Sequence, residues 1–191
     1  MKKENLKLYL KTTLTLCIMA GVSAAVVGLV NYFTAPTIAS NSILREQNAC
    51  KDIYVDATSF NEEYNAENEN KYDFKYIEKA WRALNGESDF YGLVFRCSGK
   101  NIYGAISLII GYNKDYSIEK VEVVENPESF ATTVNDYIKT TYNGDTNVKF
   151  DDISTIDVTC GATYGAKLVR SMLLEAGNGA KEMMFGESYG K

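Results

Sequence analysis

The feature that most limits the fold of this chain is a long interval without charge, between Lys11 and Arg45. Within it, residues 12–33 read TTLTLCIMAGVSAAVVGLVNYF, and most of them are apolar. A helix of about 20 apolar residues is long enough to cross the hydrocarbon core of a bilayer. The interval therefore predicts a transmembrane helix near the N-terminus.

Lysines cluster on one side of the apolar segment, and positive charge beside a membrane helix is retained in the cytoplasm. We therefore expect a single-pass protein of the cell membrane, with its N-terminus inside and its larger part on the outer, periplasmic or extracellular side. The lysines concerned are Lys2, Lys3, Lys7 and Lys11. The predicted divisions are a cytoplasmic N-terminus, a transmembrane helix, a stalk and an extracytoplasmic domain, at 1–11, 12–33, 34–51 and 52–191.

Two alternatives to an uncleaved anchor remain open at this point. A secretory signal peptide has an apolar core of about 7–15 residues, which is shorter than this segment, and Pro36 lies beside the best small-residue exit, FTAP. The sequence LTLC, ending at Cys17, resembles a lipoprotein attachment box, but Leu16 stands where such boxes have a small residue. The length of the segment favours the anchor.

The composition disfavours several classes of function. The formal net charge is −5 and the pI is about 4.9, whereas nucleic-acid-binding proteins normally present a basic face. The chain contains no histidine, which excludes Ser-His-Asp and Cys-His catalysis and removes the commonest transition-metal ligand. Chemistry at neutral pH is therefore better served by a bound cofactor than by side chains alone.

The four cysteines are far apart in the sequence, at positions 17, 50, 97 and 160, and they form no CxxC redox or iron–sulfur pattern. No metal site is predicted. A disulfide between Cys50 and Cys97 is compatible with an exported domain, but free cysteines are favoured.

The sequence after the membrane helix predicts an α+β domain, in which helices pack on an antiparallel sheet. Apolar alternation and turn residues predict three strands, at 90–97, 102–113 and 118–125. A fourth, short strand is predicted at 153–156. One helix is expected to begin with Asn126 as its cap and Pro127 in its first position, and to end at Gly144. The last helix is predicted over 164–176.

Two further segments are less decisive. Segment 52–73 is polar and acidic, and its part NEEYNAENENKYD, at 61–73, is predicted to be a surface loop. Segment 74–85 fits either one face of a helix or the first strand of a hairpin, because Asn85-Gly86 is a strong hairpin turn.

The segment DVTCGAT, from Asp157 to Thr163, directly precedes the last predicted helix. Its Gly161 and Ala162 leave the backbone open to close approach, and the first turn of a helix offers free N–H groups and a partial positive charge. This arrangement binds phosphate, but Thr163 suits a plain helix cap equally well. Cys160 is disfavoured as a nucleophile because no histidine is present to activate it, although a helix terminus lowers a thiol pKa.

DVTCGAT also resembles the flavin-attachment motif Asp-x-x-(Ser/Thr)-Gly-Ala-Thr of the FMN-binding domain family. That family includes the G subunits of Rnf complexes and the C subunits of sodium-translocating NADH:quinone reductases. The resemblance extends to the lysine-led anchor that ends in TAPTI, and to the strand–turn–strand segment 91–129. It also favours the hairpin at Asn85-Gly86.

In that family the last threonine of the motif carries FMN through a phosphoester bond, which a dedicated flavin transferase makes. The resemblance thus implies covalent FMN on Thr163. The other cofactor-binding residues that it implies shape the attachment loop or lie beside the flavin: Asp157, Cys160, Gly161, Ala162, Glu125 and Pro127.

The implied function is that of an electron-transfer subunit in an Rnf-like, ion-translocating ferredoxin:NAD⁺ oxidoreductase, without independent turnover. Its partners would be the other membrane subunits of that complex and the flavin transferase. The alternative is an anchored extracellular module, with FMN or without it, that serves another electron-transfer or non-redox role.

Three departures from the family pattern bear on the site. Cys160 stands where the motif has a hydroxyl residue, and Gly165 stands where a polar residue is often found. The loop that lies against the flavin in the family is Glu-Thr-Pro-Gly-Leu-Gly, and here it is the segment ENPESF at 125–130, which lacks both glycines. The shape of the flavin pocket is therefore expected to differ.

Overall fold

The structure of the chain is a computed structural model. It describes residues 3–68, 72–86, 89–144 and 147–185. The chain divides into two compact units, Met1–Leu44 and Arg45–Lys191. The second unit contains the sheet, the shorter helices and the last turns of the first helix.

Helix α1 runs from Lys3 to Ile53. Among the described residues it is the one helix long and apolar enough to cross a membrane, over Tyr9–Ile53, with a mean hydropathy of 2.2 in its most apolar part. None of that apolar part is buried inside the protein. The expected N-terminal apolar helix is therefore present, while its sidedness stays a prediction.

In the described part of the chain, five antiparallel strands follow in a simple meander, in which each strand pairs with the next along the chain. Their bounds are β1 Ser59–Asn65, β2 Ile77–Asn85, β3 Asp89–Asn101, β4 Gly104–Asn113 and β5 Ile118–Glu125. The hairpin interpretation at Asn85-Gly86 is confirmed, because β2 turns into β3 there and Gly86 adopts a φ of +68°. The predicted α+β class is confirmed as well.

Strand β1 corrects the prediction of a surface loop over 61–73 for its first residues, to Asn65, whereas 69–71 lie outside the described residues. Its sequence, SFNEEYN, has no apolar alternation, and only Tyr64 in it is buried. β1 forms the edge of the sheet and pairs with β2 alone, with a bulge between Glu62 and Tyr64. An edge strand keeps one side in solvent, so its composition resembles that of a loop.

The sheet buries apolar side chains on both faces, because successive side chains of a strand point to opposite sides. On one face, two later helices, α2 (Ala131–Thr141) and α3 (Thr163–Phe185), cover the main core, which includes Cys97. On the other face, Cys50, Ile53 and Tyr54 pack against Val94 and other sheet residues. Both cysteines are free. The disulfide considered between Cys50 and Cys97 is not formed because the two thiols lie on opposite faces.

Helix α2 spans Ala131–Thr141, which is later than predicted. Asn126 does not cap it: its side chain donates to Asn135 Oδ1 at 2.9 Å and accepts from the N–H of Glu128 at 3.4 Å. The chain from 126 to 130 stays non-helical and turns Glu128 inwards, where that side chain is buried.

The segment before the last helix also differs from the prediction. A 3₁₀-helix, Phe150–Thr155, replaces the short strand expected at 153–156. Helix α3 then runs over Thr163–Phe185, longer than the predicted 164–176. It buries Val169, Met172 and Leu173 against the sheet. Segment 157–162 therefore links two helices at the rim of the main core.

Candidate functional site

The start of helix α3 is open. Thr163 is its first helical residue, and the carbonyl of Ala162 accepts the first helical bond, from the N–H of Ala166 at 3.0 Å. Ala162 thus occupies the cap position, where its methyl group offers no acceptor. Within the described residues, no acceptor reaches the N–H groups of Thr163, Tyr164 and Gly165.

The Thr163 side chain is half-buried, and its hydroxyl group makes no hydrogen bond to the residues that the structure describes. Thr163 therefore does not act as the helix cap, which was the purely structural role considered for it. Free N–H groups at a helix start carry the positive end of the helix dipole and bind anions. The geometry therefore leaves a hydroxyl group and an anion-binding backbone at the same point.

Gly161 shapes the loop that leads to this helix. Its φ is +80°, a conformation that residues with a Cβ rarely adopt, and a Cβ there would meet only Thr133 Cγ2, at 3.9 Å. The residue is exposed. Glycine is therefore required here for its backbone conformation, and the surrounding space stays open to a ligand.

Asp157 fixes the other end of the loop. Its carboxylate accepts from the backbone N–H of Thr159 at 2.9 Å and from the Thr159 hydroxyl at 2.5 Å. These bonds hold the pKa of the exposed Asp157 carboxyl below its usual range. The Asp157 carbonyl also accepts from the Tyr137 hydroxyl at 2.9 Å, which ties the loop to α2. The role of Asp157 in this structure is therefore to shape the loop.

Cys160 lies half-buried in this loop and packs against the main core. Its backbone N–H donates to the Val158 carbonyl at 3.1 Å, and its thiol is free. Cys160 lacks the hydroxyl group that the family motif has at this position. The neighbouring Thr159 provides a hydroxyl group in this loop, and it donates a hydrogen bond to Asp157.

The loop after β5 contributes to the site through a residue that the sequence did not single out as a ligand. Glu125 is exposed and pairs with Arg45 at 3.7 Å, which turns it towards the end of helix α1. Pro127 is exposed as well. Glu128, in contrast, is only 5 % exposed and reaches the first turn of α3.

Glu128 touches three segments of the chain. Its Oε2 accepts from Nδ2 of Asn101, the last residue of β3, at 2.7 Å. A Cβ on Gly104 would lie 2.7 Å from the Glu128 Cα, and a Cβ on Gly165 would lie 2.6 Å from its Oε1. Gly165 therefore has no room for the polar side chain often found there in the family. Only tertiary contacts reveal Glu128, so no local sequence pattern identifies it.

The loop fits a phosphate group on three observations: the free N–H groups at the start of α3, the unpaired Thr163 hydroxyl, and the open space beside Gly161. Lys167 adds positive charge, since it is exposed and lies one helical turn after Thr163 on the same face. These features would hold the phosphate of FMN.

Comparison with known families gives a match over the first part of the chain. Residues 1–53 match the RnfG N-terminal region. The resemblance to RnfG is thereby confirmed over helix α1, and it includes the last turns of that helix, which pack on the sheet. No curated protein matches the chain. The matched residues end well before segment 157–163, so the RnfG similarity and the geometry of that segment are independent observations.

Proposed function

We propose that this chain is a membrane-anchored electron-transfer subunit of an Rnf-like complex and that it carries FMN on Thr163. The observation that carries the attachment is the uncapped first turn of α3, where the Thr163 hydroxyl and three backbone N–H groups have no hydrogen-bond partner among the described residues. The RnfG match over residues 1–53 and the apolar helix support the membrane complex.

Each residue of the loop has a task in this proposal. The N–H groups and the helix dipole neutralise part of the phosphate charge. Gly161 supplies the left-handed turn that aims the chain into α3, and Asp157 holds Thr159 so that the loop is preformed. Bound FMN would supply the redox chemistry, while the protein supplies binding, orientation and electrostatics.

Attachment is a phosphoryl transfer without redox change. Thr163 Oγ bonds to the flavin phosphorus, the hydroxyl loses its proton, and a leaving group departs from phosphorus. Condensation with free FMN would release water and is unfavourable in water. The flavin transferase must therefore use a donor with a better leaving group, such as a flavin pyrophosphate.

The proposal is tested by producing the full chain together with a flavin transferase. Wild type is expected to give a fluorescent band on a denaturing gel and a mass increase equal to one phosphoester-linked FMN. Thr163→Ala should lose both, whereas Thr163→Ser should keep them at a lower level because it retains the hydroxyl. Thr132→Ala is the matched control, since it removes an exposed threonine hydroxyl from α2, outside the loop, and should still be labelled.

Two results would contradict attachment at Thr163: a wild-type chain without the band, or a Thr163→Ala variant that keeps it. Membrane partners are tested separately by affinity purification from native membranes. If no redox subunits copurify with the labelled chain, the Rnf-like assignment fails although the flavin assignment stands.

A flavin-less scaffold module is the second candidate, and the buried Glu128 favours it. The Glu128 carboxylate lies against the first turn of α3, where its negative charge offsets part of the positive helix-dipole potential that would attract a phosphate. If this candidate is correct, the purified protein is colourless even with the transferase present. A flavin absorption spectrum in that sample excludes it.

A further inference from the structure

Three aromatic rings form an exposed cluster beside Thr163. Tyr103, Phe130 and Tyr164 are 40 %, 42 % and 57 % exposed. The Tyr103 ring meets Phe130 edge to face, with centroids 5.0 Å apart, and meets Tyr164 in a similar way at 5.9 Å. Scattered apolar residues are normal on protein surfaces, but contiguous exposed apolar groups mark binding sites.

The cluster is assembled from three separate parts of the chain. Tyr103 lies in the turn between β3 and β4, Phe130 precedes α2, and Tyr164 directly follows the proposed attachment residue Thr163. Glu128 contacts residues on both sides of Tyr103, Asn101 and Gly104, and Gly165 next to Tyr164, and it lies two residues before Phe130. It therefore acts as a positioning residue for the rings.

We propose that this aromatic cluster binds the isoalloxazine ring of the flavin attached to Thr163. The inference rests on the proposed function. A flavin tethered at Thr163 starts one residue from Tyr164, and its flat, apolar ring requires an aromatic surface within reach. Aromatic rings attract one another in offset-stacked and edge-to-face arrangements. A tyrosine next to an isoalloxazine also quenches its fluorescence, which makes the contact measurable.

The test uses the full, flavinylated chain in detergent and compares flavin fluorescence in the native and the denatured protein. Native wild type should be quenched severalfold relative to the denatured sample, with a shifted visible absorption band. Replacing the three rings together by leucine should remove most of the quenching while the covalent band on the denaturing gel keeps its intensity. Tyr91→Leu, a half-buried tyrosine that packs with the second core, is the matched control and should change neither.

A double variant, Tyr103→Phe with Tyr164→Phe, separates ring contact from quenching. It keeps the flat surface but removes the phenols, so fluorescence should rise while flavin anisotropy stays high. Glu128→Ala should loosen the cluster and lower the anisotropy. Each variant is checked for folding by its cooperative thermal transition, and leucine at these exposed positions leaves the core intact.

The outcomes are distinct. Absence of the covalent band in wild type overturns the proposed function and this inference with it. A covalent band whose native spectrum equals that of the denatured sample overturns the inference alone. If the leucine variant keeps the wild-type spectrum but no longer copurifies with other membrane subunits, the cluster is a protein-docking surface and the inference is wrong.

Discussion

The open start of α3 predicts that a cap introduced there stabilises the fold and weakens the site. Ala162 stands in the cap position and is 5 % exposed. In the variant Ala162→Ser, the new hydroxyl would accept from the free N–H of Gly165 or Tyr164, as serine caps do. The same bond would remove a donor that the phosphate of the flavin is proposed to use.

The expected gain in the free energy of unfolding comes from pairing one of the free N–H groups at the start of α3. A serine in place of alanine at a helix N-cap stabilises a protein by about 1 kcal/mol. The buried hydroxyl adds no penalty provided that it is bonded, whereas an unbonded one costs about 1–3 kcal/mol. For a domain of this size, 1 kcal/mol corresponds to a rise of about 4 °C in Tm.

The assay follows the fluorescence of the single tryptophan, Trp81, which lies in β2 and packs with the second core. Ala162→Ser should raise Tm and slow flavin attachment by the transferase. Ala166→Ser is the control: it adds the same atom one turn later, where the N–H groups are already bonded, and should destabilise by about 1 kcal/mol. If Ala162→Ser and Ala166→Ser lower Tm to the same extent, the N–H groups at the start of α3 are already bonded and the reasoning is refuted.

Three further predictions use the same unfolding measurement. Gly165→Ala places a methyl carbon 2.4 Å from Val134 Cγ2, so we expect a loss of about 1 kcal/mol because overpacking exceeds the gain in helix propensity; a more stable variant would disprove this close contact. Glu46→Gln removes the buried carboxylate that pairs with Arg96, and should cost about 2 kcal/mol; an unchanged urea midpoint would contradict it. The pKa of Asp157 is depressed, so its contribution is present above the ordinary aspartate pKa of about 3.9 and is lost as pH falls through the folded value. Wild type and Asp157→Asn should therefore converge in stability in acid, and a difference that persists at all pH values would refute this role.

Local sequence patterns predicted the parts of the fold that local physics determines. Strands β3 to β5 are apolar segments separated by turn residues, and Asn85-Gly86 has the backbone preference of a hairpin turn. The pattern missed β1 because an edge strand needs few apolar residues. It placed the start of α2 too early because Asn126 and Pro127 suit a helix start, whereas burial of Glu128 holds the chain in a loop.

The candidate site divides in the same way. The motif from Asp157 to Thr163 is contiguous, so its position before a helix could be predicted from the sequence. Whether Thr163 caps the helix or leaves its hydroxyl free for a ligand could not be predicted from the sequence. The answer depends on whether the helix begins at Thr163 or after it. The roles of Glu128 and Tyr103 arise from contacts between distant segments, and no periodicity encodes such contacts.

The last turns of α1 connect the two lines of inference. The RnfG match ends at Ile53, and Ile53 Cγ2 lies 2.3 Å from where a Cβ on Gly111 would be, so the strand needs glycine there. In the same segment Glu46 pairs with Arg96 of β3, and also with Lys79 of β2 at 3.3 Å. Residues 45–53 are therefore part of the second unit, so the sequence similarity extends beyond the apolar helix to the second core of the unit that contains segment 157–163.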